Sequence, residues 1–360
     1  SDAEIELNFT VYDDSDVLVR NAKIVNAGKQ SFCLRKAFSF CVDLPDNNYK
    51  ILRMHGAWTR ERTPEITDLG HGIVRLQSTC GASSFGIHPF LCLLEQDCRE
   101  EKGVCYGVQL VYSGNFALTA ERNSFGTVRL SGGINDEQFC WKVKGGENFT
   151  SPQALLCYSE RGLGELSREY ADFIREKIML PKFAFAPRPI VINNWEATYF
   201  NFNNEKVCAL IDEAAKLGAD TFVLDDGWFG KRDSDSSGLG DWFVNEKKLV
   251  GGLTKVAECC KRSGLKFGLW FEPEMVSPDS DLYRAHPDWA IHKDGIKPIR
   301  GRRQLVLDFT RQEVVDYIFR AISDILRSND ISYVKWDMNR FITECYSASL
   351  PATQQGEFMH

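Results

Sequence analysis

Histidine is scarce in this chain, with 6 in 360 residues, which argues against chemistry driven by an imidazole. No GxSxG elbow marks a serine nucleophile. No GxGxxG follows a strand, and the glycines of "SGGIN" and "GGENF" lie outside any strand-to-helix context, so a dinucleotide-binding loop is not indicated. There is no long basic run and the net charge is −7, which argues against a nucleic-acid partner, because phosphate binding needs clustered Lys and Arg. No apolar run is long enough to span a membrane, so a membrane partner is not expected. The 12 cysteines include no CxxC pair and no Cys/His group with zinc spacing. They read as reduced and mostly buried thiols. Cys259 and Cys260 are adjacent in a helical pattern, which suits thiols better than a disulfide. That favours a cytoplasmic home. "SDAEIELNFT" looks like a cut start, so the lack of a leader carries no weight and secretion stays open. Asn8 and Asn148 each begin a glycosylation sequon, as often as chance provides at this length.

What the chain does have is bulk and aromatic surface. Its 43% hydrophobic and 26% charged residues read as globular, and 360 residues can form two domains. Eight Trp and 24 Phe suit a large aromatic core, a sugar-binding cleft, or both. The first half carries short β-rich runs broken by Gly, Asn and Asp: "NAKIVNAG", "FCLRKAFSFCVDL", "GIVRLQST", "VCYGVQLVYSG" and "FGTVRLSGG". Such a series predicts an antiparallel β-sandwich. "HGAWTRERTPE" reads on its own as an exposed turn with a solvated charge cluster around Trp58. "LGELSREYADFIREKI" then has the helical period, with Leu166, Tyr170, Phe173 and Ile174 on one face, and Pro181, Pro187 and Pro189 punctuate a linker. The boundary falls at about residue 180, giving a sandwich domain with a linker helix over 1–180 and an α/β domain over 181–360.

In the second half, apolar strand runs alternate with helical runs. The strand runs are "PIVINNW", "TFVLDD", "LKFGLWFE", "QLVLDF" and "ISYVKWD". Near-continuous apolar strands imply a sheet covered on both faces, either doubly wound or a (β/α)8 TIM barrel. The strand ends decide for the barrel. Asn194, Trp195 and Glu196; Asp225, Asp226 and Trp228; Trp270, Glu272 and Glu274; Asp308; and Lys335, Asp337 and Asn339 all stand at C-terminal tips, where barrels build their sites. Asp308 reads as a cap for the next helix, but Asp225 and Asp226 cannot both cap one. Several carboxylates among tryptophans suggest a sugar, because aromatic faces stack on pyranose rings and a carboxylate pair can do the chemistry.

"NNWEATYFNF", "LDDGWFGKRDSDSSGLGDW", "GLWFEPEMVSPDSDLYRAHPDW", "GRRQLVLDFTR" and "YVKWDMNR", in this order, resemble the α-galactosidases of glycoside hydrolase family 36, as does "LVYSGNF" in the β half. The resemblance implies an N-terminal antiparallel β-supersandwich before a (β/α)8 barrel, and a retaining mechanism without metal or organic cofactor. It implies that Asp337 is the nucleophile. It also implies that Asp225 and Asp226 hold the outer hydroxyls of galactose, that Lys335, Asn339, Arg302 and Trp336 contact the sugar, and that Trp195 and Trp270 form aromatic walls. Trp58 would reach the sugar site from the sandwich. Substrates would be α-galactoside oligosaccharides such as melibiose, raffinose and stachyose, and the protein a homo-oligomer, a tetramer. Lys335, two residues before Asp337 on the same side of the strand, is then expected to be the counter-charge of the nucleophile.

The chain departs from the family in reading "FGIHPF" where HxHNPF is usual, and in stopping at "QQGEFMH" with five barrel strands in view. It is therefore expected to be a piece of a longer protein, with the acid/base Asp beyond its C-terminal end. The rival within the fold is an α-N-acetylgalactosaminidase or an α-galactosyltransferase. From other classes come a non-catalytic carbohydrate-binding fragment and a Schiff-base aldolase using Lys335.

Overall fold

The computed structural model describes residues 2–83 and 86–360. Phe85, the first residue of "FGIHPF", lies outside the described residues. The chain forms two compact units. One comprises 1–186 together with 352–360, and the other comprises 187–351. The closing segment, assigned from the sequence to the barrel, belongs to the first unit.

The first unit is an antiparallel sandwich. Its larger sheet runs in the order Ala3–Tyr12, Ser15–Asn26, Gln153–Ser159, Cys105–Val111, Ile87–Leu94, Lys50–His55, Thr63–Asp68, with Asn148–Thr150 also paired to Ser15–Asn26. The smaller runs Phe38–Pro45, Thr127–Ile134, Phe116–Arg122, Gly72–Gln77. Period-two alternation sorts the central strands of the larger sheet between two cores. From Ile87–Leu94, Leu91 and Leu93 join Phe116, Leu118 and Leu130 of the smaller sheet. Phe90, Cys92 and Leu94 join Leu166, Tyr170 and Phe173 of the helix Leu163–Phe173. Gly107 permits that helix to lie close, since a Cβ there would stand 2.9 Å from the Tyr170 ring.

The second unit holds a parallel sheet ordered Val191–Asn193, Thr221–Leu224, Lys266–Phe271, Tyr333–Trp336, with helices Asn204–Lys216, Gly252–Arg262 and Gln312–Ser328 between the strands. The last helix buries Val314, Ile318, Ile322 and Ile325, one stripe at helical spacing. Four of the five expected strand runs enter this sheet. The remaining one contributes only Leu305–Val306, which pairs antiparallel with Met275–Val276. Pro273 has no N–H for a ladder, so the chain after Lys266–Phe271 leaves the parallel sheet and Met275–Val276 becomes available to Leu305–Val306. Asp308 is buried but does not cap the helix Gln312–Ser328, whose N-cap position, Arg311, accepts no side-chain bond. Its Oδ1 accepts from Thr310 N–H at 3.1 Å and Thr310 Oγ1 at 2.6 Å, and its Oδ2 accepts from Ser347 Oγ at 2.6 Å.

The thiol reading needs one correction. Cys208 and Cys259 form a disulfide that joins the helices Asn204–Lys216 and Gly252–Arg262, with Cα atoms 5.7 Å apart. Helical period faces Cys259 toward the neighbouring helix, whereas Cys260 turns inward as a buried free thiol. A bridge across 51 residues of sequence should stabilise this unit by about 2–4 kcal/mol, mainly by restricting the unfolded chain. Reductant, or Cys208→Ala, should lower the denaturation midpoint correspondingly. Equal midpoints with and without reductant would show that the bridge is not made.

Candidate active site

The C-terminal tips of the four parallel strands bring together most of the residues singled out in the sequence. Parallel register sets Trp270 opposite Lys335 and Phe271 opposite Trp336. The ladder extends one bond further, with Asp337 N–H donating to Phe271 O at 2.8 Å. This places the Asp337 carboxylate beside the indole of Trp270, whose Nε1 donates to Oδ2 at 3.0 Å. Asn339 Nδ2 donates to the same oxygen at 2.8 Å. Oδ1 accepts from Met338 N–H at 3.1 Å. The side chain is thus aimed by a strand end and held by donors from the third strand and from the turn just past the fourth.

Trp270 is 2% exposed. It lies near-parallel to Phe229, with centroids 6.2 Å apart, and its carbonyl accepts from Trp228 Nε1 at 2.9 Å. An indole buried to this degree offers little face to a sugar. Its task in this structure is to hold Asp337, which differs from the expected aromatic wall. Trp195 is half-buried and edge-on to Tyr199 and Phe200, with centroids 5.2 Å away in each case. Trp336 is 56% exposed, and its Nε1 donates to Glu274 Oε1 at 2.9 Å.

Lys335 is not the counter-charge of Asp337. Its Nζ reaches across the third strand to Asp225 Oδ2 at 2.7 Å, an oxygen that also accepts from Asn193 Nδ2 at 3.0 Å. Asp225 is further fixed through its N–H, which donates to Asn194 Oδ1 at 2.8 Å. The neighbouring Asp226 has a different partner, the buried guanidinium of Arg232. Nε lies 3.0 and 3.1 Å from its two oxygens and Nη2 lies 2.8 Å from Oδ2. Burial pushes the Asp226 carboxyl up although Arg232 pulls the other way. The two adjacent aspartates therefore differ: one is paired with a half-exposed lysine, the other with a buried arginine.

Arg302 stands in a loop where it and Arg303 both adopt left-handed backbone (φ 49° and 64°), a conformation uncommon in side-chain-bearing residues and enriched at functional sites. Its Nη1 donates to Asn339 Oδ1 at 2.8 Å. The loop is anchored by Arg340, which is buried and donates from Nη1 to Gln304 O at 2.8 Å and Ile299 O at 3.2 Å. Gly301 makes room for that guanidinium, because a Cβ there would lie 2.9 Å from Arg340 Nε. Trp58 belongs to the first unit, in the loop between Lys50–His55 and Thr63–Asp68, and is 82% exposed, so it is no part of the sandwich core.

Three residues of this site carried no role in the sequence reading. Arg232 and Arg340 sit in charged stretches that look like surface. Glu272 was visible only as one more strand-end carboxylate. It is wholly buried, and burial, with the charge of Asp337 adding to it, pushes its carboxyl up to about 7. A folded-state value above that of the unfolded chain contributes stability that is fully present below about pH 4.5 and lost as pH rises through about 7. Glu272→Gln removes this penalty. Its unfolding free energy should match that of the parent near pH 4.5 and exceed it at pH 8 by up to about 3 kcal/mol, read from denaturant titrations at the two pH values. An advantage independent of pH would refute the assignment.

Residues 1–144 match the glycosyl hydrolase family 36 N-terminal domain, and residues 148–360 match the melibiase family. The chain is 44% identical to the α-galactosidase Mel36A of Lactobacillus acidophilus over all 360 residues, which cover 49% of that protein. It superimposes with a TM-score of 0.97 on the crystal structure of the α-galactosidase from Lactobacillus brevis, at 43% identity, covering 99% of this chain and 48% of that one. A variant of the α-galactosidase AgaA from Geobacillus stearothermophilus, solved with raffinose, superimposes at 0.96 with 45% identity over 99% of this chain and 50% of that one. The chain thus spans about half the length of these relatives. The sandwich, the strand-end carboxylates and these matches together show that the chain belongs to glycoside hydrolase family 36.

Proposed function

We propose that this chain carries the nucleophile half of the chemistry of an α-galactosidase that releases terminal α-galactosyl residues from oligosaccharides of the melibiose, raffinose and stachyose type. The observation that supports this best is the Asp337 carboxylate, held by Trp270 and Asn339 and flanked by the Lys335–Asp225 pair. AgaA, solved with raffinose and, in another variant, with stachyose, is a relative of this chain. In this reading one oxygen of Asp337 forms a bond to the anomeric carbon while the bond from that carbon to the leaving oxygen breaks and the leaving oxygen takes up a proton. Water then hydrolyses the glycosyl ester with net retention. Oδ2 is occupied by two side-chain donors, whereas Oδ1 is held by one backbone N–H, so Oδ1 is the freer oxygen for attack. Asp225 and Lys335, an acceptor beside a donor, suit neighbouring hydroxyls on one sugar face.

Asp337→Ala in the full-length protein should lower turnover of an aryl α-galactoside by on the order of 10³-fold or more, and a covalent 2-fluorogalactosyl adduct should form on the parent and not on the variant. Near-normal turnover by the variant would sink the nucleophile assignment.

The two neighbouring aspartates should separate on mutation. Asp225→Asn weakens a charged contact available to a hydroxyl, worth roughly 1.5–3 kcal/mol, and should narrow the preference for aryl α-galactoside over α-glucoside. Asp226→Asn strands the buried Arg232 and should cost about 3–5 kcal/mol of stability, read as a lowered melting temperature. Identical effects of the two variants on both readouts would contradict the division of roles.

A further inference from the structure

The strand Lys266–Phe271 ends its ladder abruptly. Phe271 O accepts from Asp337 N–H, and in a parallel ladder the next N–H on that side, two residues along, is that of Asn339. Its regular acceptor would be the carbonyl of Pro273, but the main chain has left the sheet by then to form the antiparallel pair Met275–Val276 with Leu305–Val306. Asn339 N–H donates instead to a side chain, Glu272 Oε1, at 2.5 Å. A buried backbone N–H without an acceptor is costly, so this bond substitutes for the missing rung.

Asn339 is held on three sides. Its N–H is on Glu272, its Oδ1 accepts from Arg302, and its Nδ2 donates to Asp337 Oδ2. Arg302 sits on a loop and is exposed, whereas Glu272 is wholly buried at a strand end. The rigid member of the pair sets where the Asn339 backbone lies. We propose that Glu272 is a positioning residue for the nucleophile: its Oε1 takes the place of the ladder acceptor for Asn339 N–H and thereby fixes the amide that holds Asp337 Oδ2. Gln304 Nε2, 3.3 Å from Glu272 Oε2, steadies the carboxyl from its other side. Burial and the nearby Asp337 charge push this carboxyl up, but its role as acceptor persists in either protonation state. The proposal rests on reading Asp337 as the nucleophile for its kinetic consequence, though not for its geometric one.

Glu272→Met keeps the volume and removes the acceptor, and Glu272→Gln keeps both volume and acceptor. In the full-length protein acting on an aryl α-galactoside, Glu272→Met should lower kcat by about 10²-fold, the scale of a misplaced catalytic group, while KM stays within about three-fold. Glu272→Gln should recover to within about ten-fold of the parent. Crystal structures of both variants should show Asn339 Nδ2 beyond hydrogen-bond reach of Asp337 Oδ2 with Met and within reach with Gln. Equal kcat for the Met and Gln variants overturns the proposal, as does an intact Asn339–Asp337 bond in the Met variant. If the parent itself does not turn over α-galactosides, the reading of the function fails, and the two structures still decide whether Glu272 positions Asn339.

Discussion

The setting of Asp337, on which the chemistry of the second unit turns, depends on the parallel pairing of Lys266–Phe271 with Tyr333–Trp336. This contact brings Trp270 and Asp337 within hydrogen-bond distance although they lie 67 residues apart. The third strand also contributes the carbonyl that seats Trp228, and it ends in the carboxylate that receives Asn339 N–H. A slip of register by one residue would turn every side chain of the fourth strand to the other face. Aromatic packing guards against this: Phe229, Trp242, Trp270 and Phe271 form one buried cluster behind the carboxylates. Apolar bulk thus fixes where charge can stand.

Each charge at the strand tips has its own donor groups, although Asn339 serves both Glu272 and Asp337. Asp225 uses Lys335 and Asn193, Asp226 uses Arg232, Asp337 uses an indole and an amide, and Glu272 uses a backbone N–H. Four carboxylates close together would repel if each relied on solvent. Giving each its own donors is the arrangement in which buried acids are tolerable. It also places different demands on substitution at positions adjacent in sequence, as with Asp225 and Asp226.

Much of this could be read from the sequence because it is local. Alternation announced the sandwich strands, and the helical stripe of Leu166, Tyr170 and Phe173 was visible in spacing alone. Strand-end carboxylates flagged Asp225, Asp226 and Asp337 because a polar group closing an apolar run stands out. Choice of partner was not legible. Lys335 lies two residues from Asp337, yet its partner is Asp225, 110 residues away, because reach across the sheet outweighs nearness along the chain. "QLVLDF" had the composition of a sheet strand, but composition does not name a neighbour, and the run pairs instead with Met275–Val276 in a short antiparallel ladder. Cys208 and Cys259 looked like ordinary thiols because each sits in an ordinary helix, and only the packing of the two helices sets them together.

Asn339 joins a cation to an anion through one amide. With Oδ1 on Arg302 and Nδ2 on Asp337, the amide cannot be turned over without setting two donors, or two acceptors, against each other. The two ends are therefore thermodynamically linked. Any group that competes for the Arg302 guanidinium alters the freedom of the amide, and with it the field at Asp337, by the same free energy with which the orientation of Asp337 alters binding at Arg302. A contact on a strained, exposed loop and the orientation of a strand-end carboxylate become one equilibrium, carried by a single side chain.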